Sequence, residues 1–198
     1  MFIDTEPEDG ATGALADFFA AQRRSWGFLP NYAAAFAPRP EVAAGWNALN
    51  GAIRDGMDRR RYEIATIAAA RALRSSYCTA AHSMFLRDEC DDEDAMRLIA
   101  ADPSGATLGA QDRAVYEFAG AVARDAASID QADVDRLRAV GLSDADIADV
   151  VYAAAARSFF TRVLDGLGAQ LDPQTADRLP PDVRAAAIVG RPVAGADQ

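Results

Sequence analysis

The sequence contains no lysine; its 20 basic residues are all arginine. That absence excludes Schiff-base catalysis and a Walker-type phosphate loop, each of which needs a lysine amine. The single histidine, His82, excludes centres built from several imidazoles. Cysteine is scarce too, with Cys78 and Cys90 only, so the pair reads as free thiols or as chemistry rather than as a disulfide framework. No apolar run reaches the ~18 residues that span a bilayer. The opening MFIDTEPEDG is acidic where a secretory leader would be basic. The expected location is therefore cytoplasmic. A net charge of -10 repels phosphate backbones and anionic lipid, so neither nucleic acid nor membrane is an expected partner. No motif indicates a metal or an organic cofactor.

What is present is globular: 51% hydrophobic and 25% charged over 198 residues. The apolar share comes mainly from alanine and leucine, which favours helix over strand. Apolar residues recur at helical spacing from Ala11 to Arg24, ending near Gly27. The proline-bounded stretch Trp26 to Pro40 holds a short helix at most. Glu41 to Met57 forms the next helix, and Asp58 caps one carrying Glu63, Ile64 and Ile67. Ser75 and Ser76 interrupt that pattern and cap a helix carrying Cys78, His82, Phe85 and Leu86. The run Asp91, Asp92, Glu93, Asp94 reads as a solvated helix start. Residues 102–110 read as a linker. Helices follow at Ala110 to Arg124, Gln131 to Val140, and Ser143 to Gly166 or Gly168. Residues 1–10 form an acidic lead-in. The tail 180–198 is too apolar for a plain linker and packs on this subunit or a neighbour. The expectation is one all-α domain over 1–198, of six to eight helices.

One segment carries chemistry, RRRYEIATIAAARALRSSYCTAAHSMFLRDEC. Cys78 and His82 are four residues apart, so on a helix they share a face, with Cβ atoms ~6 Å apart. Cys78 lies three residues after the cap at Ser75, where the positive helix end favours a thiolate. An adjacent imidazole can take a thiol proton. Glu63, on the preceding helix, is placed to orient His82 or relay its proton. Buried cysteine is common and usually inert, so this spacing alone does not establish a reactive thiol.

The pattern E-x14-C-x3-H, with Tyr77 directly before the cysteine, resembles the alkylhydroperoxidase D-like / carboxymuconolactone decarboxylase superfamily, and within it the peroxidase-related subfamily. Tyr62-Glu63 stands at the family's R-E, and Ser75-Ser76-Tyr77-Cys78 stands at its C-x-Y-C, with His82 at the histidine. Gly27-Phe28-Leu29-Pro30-Asn31 is similar to an upstream G-x-x-P-N segment, and LRAVGLSDADIADVV to a downstream helix start. The likeness runs over roughly residues 20–172. It implies an oligomeric helical fold and an antioxidant oxidoreductase. Cys78, His82 and Glu63 would be catalytic, attacking a small peroxide with an external thiol or partner protein as reductant. It also implies homo-oligomers.

Two departures qualify that implication. The family's first cysteine is Ser75, which cannot resolve an oxidised partner as a disulfide. Thr161 stands where an asparagine often precedes the late arginine, Arg162. A one-cysteine peroxidase remains open. So do a non-redox lyase of the carboxymuconolactone decarboxylase type using His82 and Glu63, and a non-catalytic member that kept the fold alone. Cys90 lies twelve residues past Cys78, ~18 Å along one helix, so a bridge within the chain requires that helix to break or unfold; otherwise Cys90 is a bystander surface thiol or pairs across a subunit interface.

Auxiliary readings complete the set. Ser75 is either a plain helix cap or a partner of the Cys78 sulfur. Tyr77 lines the pocket, donates a hydrogen bond or packs in the core. Trp26, Phe28 and Tyr32 roof the site or belong to the core. Arg59-Arg60-Arg61 is expected as a solvated helix start or subunit contact, and Arg162 as an internal ion-pair member.

Overall fold

Nine consecutive residues, Tyr62 to Ala70, are buried on every side of one helix. A helix buried all round must sit at the centre of its bundle. The computed structural model describes residues 1–196 and shows how the sequence achieves this. Asp58 accepts a hydrogen bond from the Arg61 amide at 2.8 Å and starts the helix, as expected. Ala65, Ala68, Ala69 and Ala70 then let neighbouring helices approach closely, while Ile64 and Ile67 fill the gaps. Each buried isoleucine contributes on the order of 1.5–3 kcal/mol.

In chain order the α-helices are α1 (Gly13–Trp26), α2 (Ala33–Phe36), α3 (Pro40–Gly56), α4 (Arg59–Ala72), α5 (Ser76–Cys90), α6 (Glu93–Ala101), α7 (Ala110–Asp125), α8 (Gln131–Ala139), α9 (Asp144–Leu167), α10 (Pro173–Ala176) and α11 (Pro181–Ala187). Among the described residues there is no strand, only an isolated bridge between Leu171 and Val193. The expected all-α class holds. The long helices are those expected, and among the described residues the α-helix count is eleven against six to eight expected, with α10 and α11 as late short pieces. No helix of the described residues is long and apolar enough to cross a membrane.

The central helix α4 packs against α5, α7 and α9, and α3 closes against α9. The basic run at its start is not a solvated fringe. Arg60 bridges to Asp92 at 2.5 Å and to Asp112 at 2.6 Å, and Arg61 pairs with Asp146. These arginines tie the α4 N-terminus to α6, α7 and α9.

Residues 180–196 of the tail pack on their own chain, and 197–198 lie outside the described residues. Val183, Ala187 and Val193 are buried, and α11 lies against α5 and α6. The tail backbone also presses on the α4–α5 turn, where a Cβ on Gly190 would lie 1.9 Å from the Arg74 carbonyl oxygen. Only glycine fits there. The Gly190 amide donates to Ser76 Oγ at 2.9 Å, and Arg74 itself takes a left-handed φ of 59°. The tail thus pins the turn that orients α4 relative to α5. The lead-in is mostly exposed but anchored, with the Phe2 amide bonded to the Leu167 carbonyl at 2.8 Å.

Candidate active site

Glu63 belongs to α4 and His82 to α5, and the packing of these helices brings them together. His82 Nδ1 lies 2.5 Å from Glu63 Oε2. The second carboxylate oxygen, Oε1, accepts from Arg59 Nε at 2.7 Å. Both members are buried. Burial alone would raise the Glu63 carboxyl, but His82 and Arg59 outweigh it and hold its pKa below the ordinary range. Burial pushes His82 down to about 4, and the Arg157 cation adds to this against the pull of Glu63. At neutral pH the pair is therefore a carboxylate and a neutral imidazole. The Nδ1 proton faces Glu63, which leaves Nε2 as the basic nitrogen.

Cys78 is one helical turn before His82 and is buried. No hydrogen bond joins the two. The sulfur's partner is Arg157 on α9, whose Nη1 lies 3.7 Å away. The same guanidinium donates through Nη2 to the Tyr62 hydroxyl at 3.3 Å, and Tyr62 donates to Asn50 at 2.6 Å. Burial pushes the Cys78 thiol up, partly offset by Arg157. This corrects the expectation of a resting thiolate: at this depth loss of water outweighs the helix end.

Ser75 precedes α5 as expected, but its side chain makes no capping bond. Its hydroxyl is buried without a hydrogen-bond partner. Tyr77 donates to Asp172, which also accepts the Asn31 amide at 2.7 Å. That residue pair ties the Pro30-Asn31 loop to the segment after α9.

A cavity of about 200 Å³ receives Cys78, His82, Tyr77 and Arg157, with Trp26, Tyr32, Trp46, Phe85 and Phe160 among its walls. Of the three aromatics named as a roof, Trp26 and Tyr32 line it, while Phe28 packs edge-on against Trp26 at 6.2 Å. Adjoining this cavity, and sharing Trp26, Asn50, Arg54 and Phe85 as well as His82, is a second recess of about 310 Å³, walled also by Glu63, Arg59 and Tyr62. His82 borders both. A recess of about 360 Å³ under the N-terminal segment contains no cysteine or histidine.

Arg157 is the residue that sequence reasoning missed, having favoured Arg162. Arg162 is exposed and makes no ion pair among the described residues, which corrects that expectation. The signal for Arg157 was available. The buried stripe of α9 runs Val150, Ala153, Ala154, Arg157, Phe160, Thr161, Leu164, so Arg157 occupies a core position at helical spacing. No cluster of three or more metal-ligating side chains occurs among the described residues.

The carboxymuconolactone decarboxylase family pattern matches residues 40–119, the segment holding Glu63, Cys78 and His82. No curated protein matches the sequence. Among solved structures, the chain shares the fold of an alkylhydroperoxidase D-core, peroxidase-related protein from Ralstonia eutropha. The TM-score is 0.78 at 21% identity over 90% of this chain and 97% of that one. A peroxidase-related protein from a Silicibacter species gives 0.72 at 21% identity, over 88% and 91% of the two chains. The debrominase Bmp8, in a complex with 2,3,4-tribromopyrrole, gives 0.65 at 19% identity, over 87% and 88%. The chain thus has the alkylhydroperoxidase D-like helical fold. Arg157 lies outside the matched family segment.

Proposed function

We propose that the protein is a thiol-dependent oxidoreductase of the peroxidase-related type, with Cys78 as the residue oxidised. The observation that carries this reading is the meeting of Cys78, Arg157 and His82 on one cavity, with His82 held from behind by Glu63. A hydroperoxide enters the cavity. The Cys78 sulfur attacks one peroxide oxygen as its proton passes to the neutral imidazole, directly or through a water. The O–O bond breaks, the sulfur gives up two electrons and keeps that oxygen as a sulfenic acid, and His82 returns the proton to the departing alkoxide. Glu63 holds the imidazole in the tautomer that presents a basic Nε2. Arg157 stabilises the negative charge that passes over sulfur and oxygen. Two external thiols then restore Cys78, yielding their disulfide and water, because Ser75 supplies no internal thiol.

Purified Cys90→Ser protein titrated with hydroperoxide is expected to form sulfenic acid at Cys78, read by mass spectrometry. Peroxide consumption that persists in Cys78→Ser contradicts the proposal.

A second reading is favoured by one observation: the His82–Glu63–Arg59 arrangement is complete without sulfur. In that case the chain is an acid–base lyase of the carboxymuconolactone decarboxylase kind, and Cys78 only lines the pocket. Full turnover of a carboxy-lactone by Cys78→Ser decides for it. The structural relatives include both peroxidase-related and debrominating proteins, so the choice rests on the residues in the cavity rather than on the fold.

The proposal includes assembly of copies. Val42 and Leu49 on α3 and Tyr152 and Phe159 on α9 are large exposed apolar side chains on adjoining helices. Light scattering is expected to show a mass above the monomer's, reduced by Leu49→Asp with Phe159→Asp.

A further inference from the structure

The fold leaves Arg157 with no acid. A guanidinium is charged at every relevant pH, and a buried cation ordinarily has an anionic partner. The three arginines that open α4 each have an acid: Arg59 pairs with Glu63, Arg60 with Asp92 and Asp112, and Arg61 with Asp146. Arg157 is more deeply buried than any of them, at 4% exposure. Its described partners are a thiol and a hydroxyl, and its Nε has no partner at all. The buried carboxylates nearby are already engaged, Glu63 by His82 and Arg59, and Asp172 by Tyr77 and the Asn31 amide. Burial keeps the Cys78 thiol protonated, so it supplies no resting charge.

The surroundings of this cation are specific. The guanidinium carbon lies 5.4 Å from the Trp46 ring centre and 5.3 Å from that of Phe160. Both rings and the guanidinium face the cavity of about 200 Å³. That volume equals about seven waters in the liquid. It is smaller than the usual pocket for a drug-sized ligand. Asn47, Asn50 and Arg54 also line the cavity, but Arg54 is paired with Asp55 at 2.9 Å, so Arg157 is its one cation without an acid. Aromatic faces beside that cation fit a ligand with a flat apolar body and one negative group.

We infer that this cavity binds a small organic carboxylate, whose oxygens take the place beside Arg157 that no side chain of the protein fills. The inference stands on Arg157 and the cavity alone. It holds whether the chemistry beside it is peroxide reduction or acid–base catalysis, and it names the charge class of the substrate in either case.

The chain's two tryptophans, Trp26 and Trp46, both line the cavity, so intrinsic fluorescence reports its occupancy. Benzoate, benzamide and sulfate are titrated at pH 7.5 and constant ionic strength. Benzoate is expected to give a saturable change, at least about tenfold tighter than benzamide, the uncharged match in shape. Sulfate, which has the charge without the apolar body, is expected to bind more weakly than benzoate. Arg157→Gln is expected to weaken benzoate at least about tenfold while moving benzamide less than about threefold. Cys78→Ser is expected to keep the preference, which separates this inference from the redox proposal. Equal binding of benzoate and benzamide, or no saturable change with either, overturns it. So does sulfate binding as tightly as benzoate, or a benzoate preference that survives in Arg157→Gln. The comparison of the three probes on the unmodified protein decides even if the variant does not fold.

Discussion

The two cysteines share one helix and meet opposite surroundings. Cys78 lies near the start of α5, buried, with the Arg157 guanidinium 3.7 Å from its sulfur and His82 one turn on. Cys90 is the last residue of the same helix and only partly buried. Its thiol is pushed up to about 11, chiefly by burial and then by the negative charge of Glu63, opposed in part by Arg59. Both thiols are therefore protonated at rest. What separates them is the chemistry within reach when the proton leaves. Cys78 has a cation to meet the charge, an imidazole to take the proton and a cavity to hold a substrate. Around Cys90 the negative groups Glu63, Asp58 and Asp92 outnumber the single arginine. The lesson is that a helix start does not itself make a thiolate; in the proposed reaction a base and a counter-charge serve instead.

The largest expected effect breaks the contrast outright. Cys78→Ser should lower peroxide consumption by roughly a thousandfold or more, whereas Cys90→Ser should change it less than about twofold. Coupled peroxide assays on the purified variants read both. Next comes the base. His82→Gln or Glu63→Gln should slow single-turnover oxidation of Cys78 by about 10²–10⁴-fold, the usual worth of general base catalysis. A smaller effect sharpens the role of the cation. Arg157→Gln should raise the pH at which iodoacetamide alkylates Cys78, since the guanidinium favours the charged sulfur, and should slow its oxidation about tenfold. Alkylation at Cys90 should not move.

A last prediction concerns stability. His82 is held neutral in the fold, at about 4, against an ordinary 6.5. Below pH 6.5 the unfolded chain takes up a proton that the folded one refuses, so stability falls as pH drops from about 6.5 to about 4 and is fully present above that window. Glu63, whose pKa is lowered in the fold, adds a loss in the same direction at the acid end. The loss due to His82 is on the order of 3 kcal/mol. Urea denaturation at a series of pH values should show this slope, and His82→Gln should flatten it.

Much of the fold was legible because its signals are local. Asp58, the Ser143 capping box and the glycines 27 and 168 mark helix ends through their own backbone chemistry, and each stands where expected. Glu63, Cys78 and His82 were legible as a spacing, and α4–α5 packing brings Glu63 to His82. Arg157 was hidden because its importance lies 79 positions from Cys78, in a contact that only the packing of α9 on α4 creates. The direction of the Cys78 shift was misjudged for the same reason: the helix end is readable from sequence, and the depth of burial is not. The tail's grip on the α4–α5 turn rests on Gly190 meeting the Arg74 carbonyl, again a long-range contact. Ser75 stands at the expected helix start, yet its buried hydroxyl makes no capping bond.

In the proposed reaction His82 removes the Cys78 proton during the attack and not beforehand. The direct test is the rate of Cys78 oxidation by hydroperoxide from pH 6 to 8.5, in the Cys90→Ser background. If the neutral imidazole does this work, the rate is nearly level across that range, because His82 is already unprotonated throughout. A rate climbing about tenfold per pH unit would show that only pre-formed thiolate reacts, and would contradict the claim.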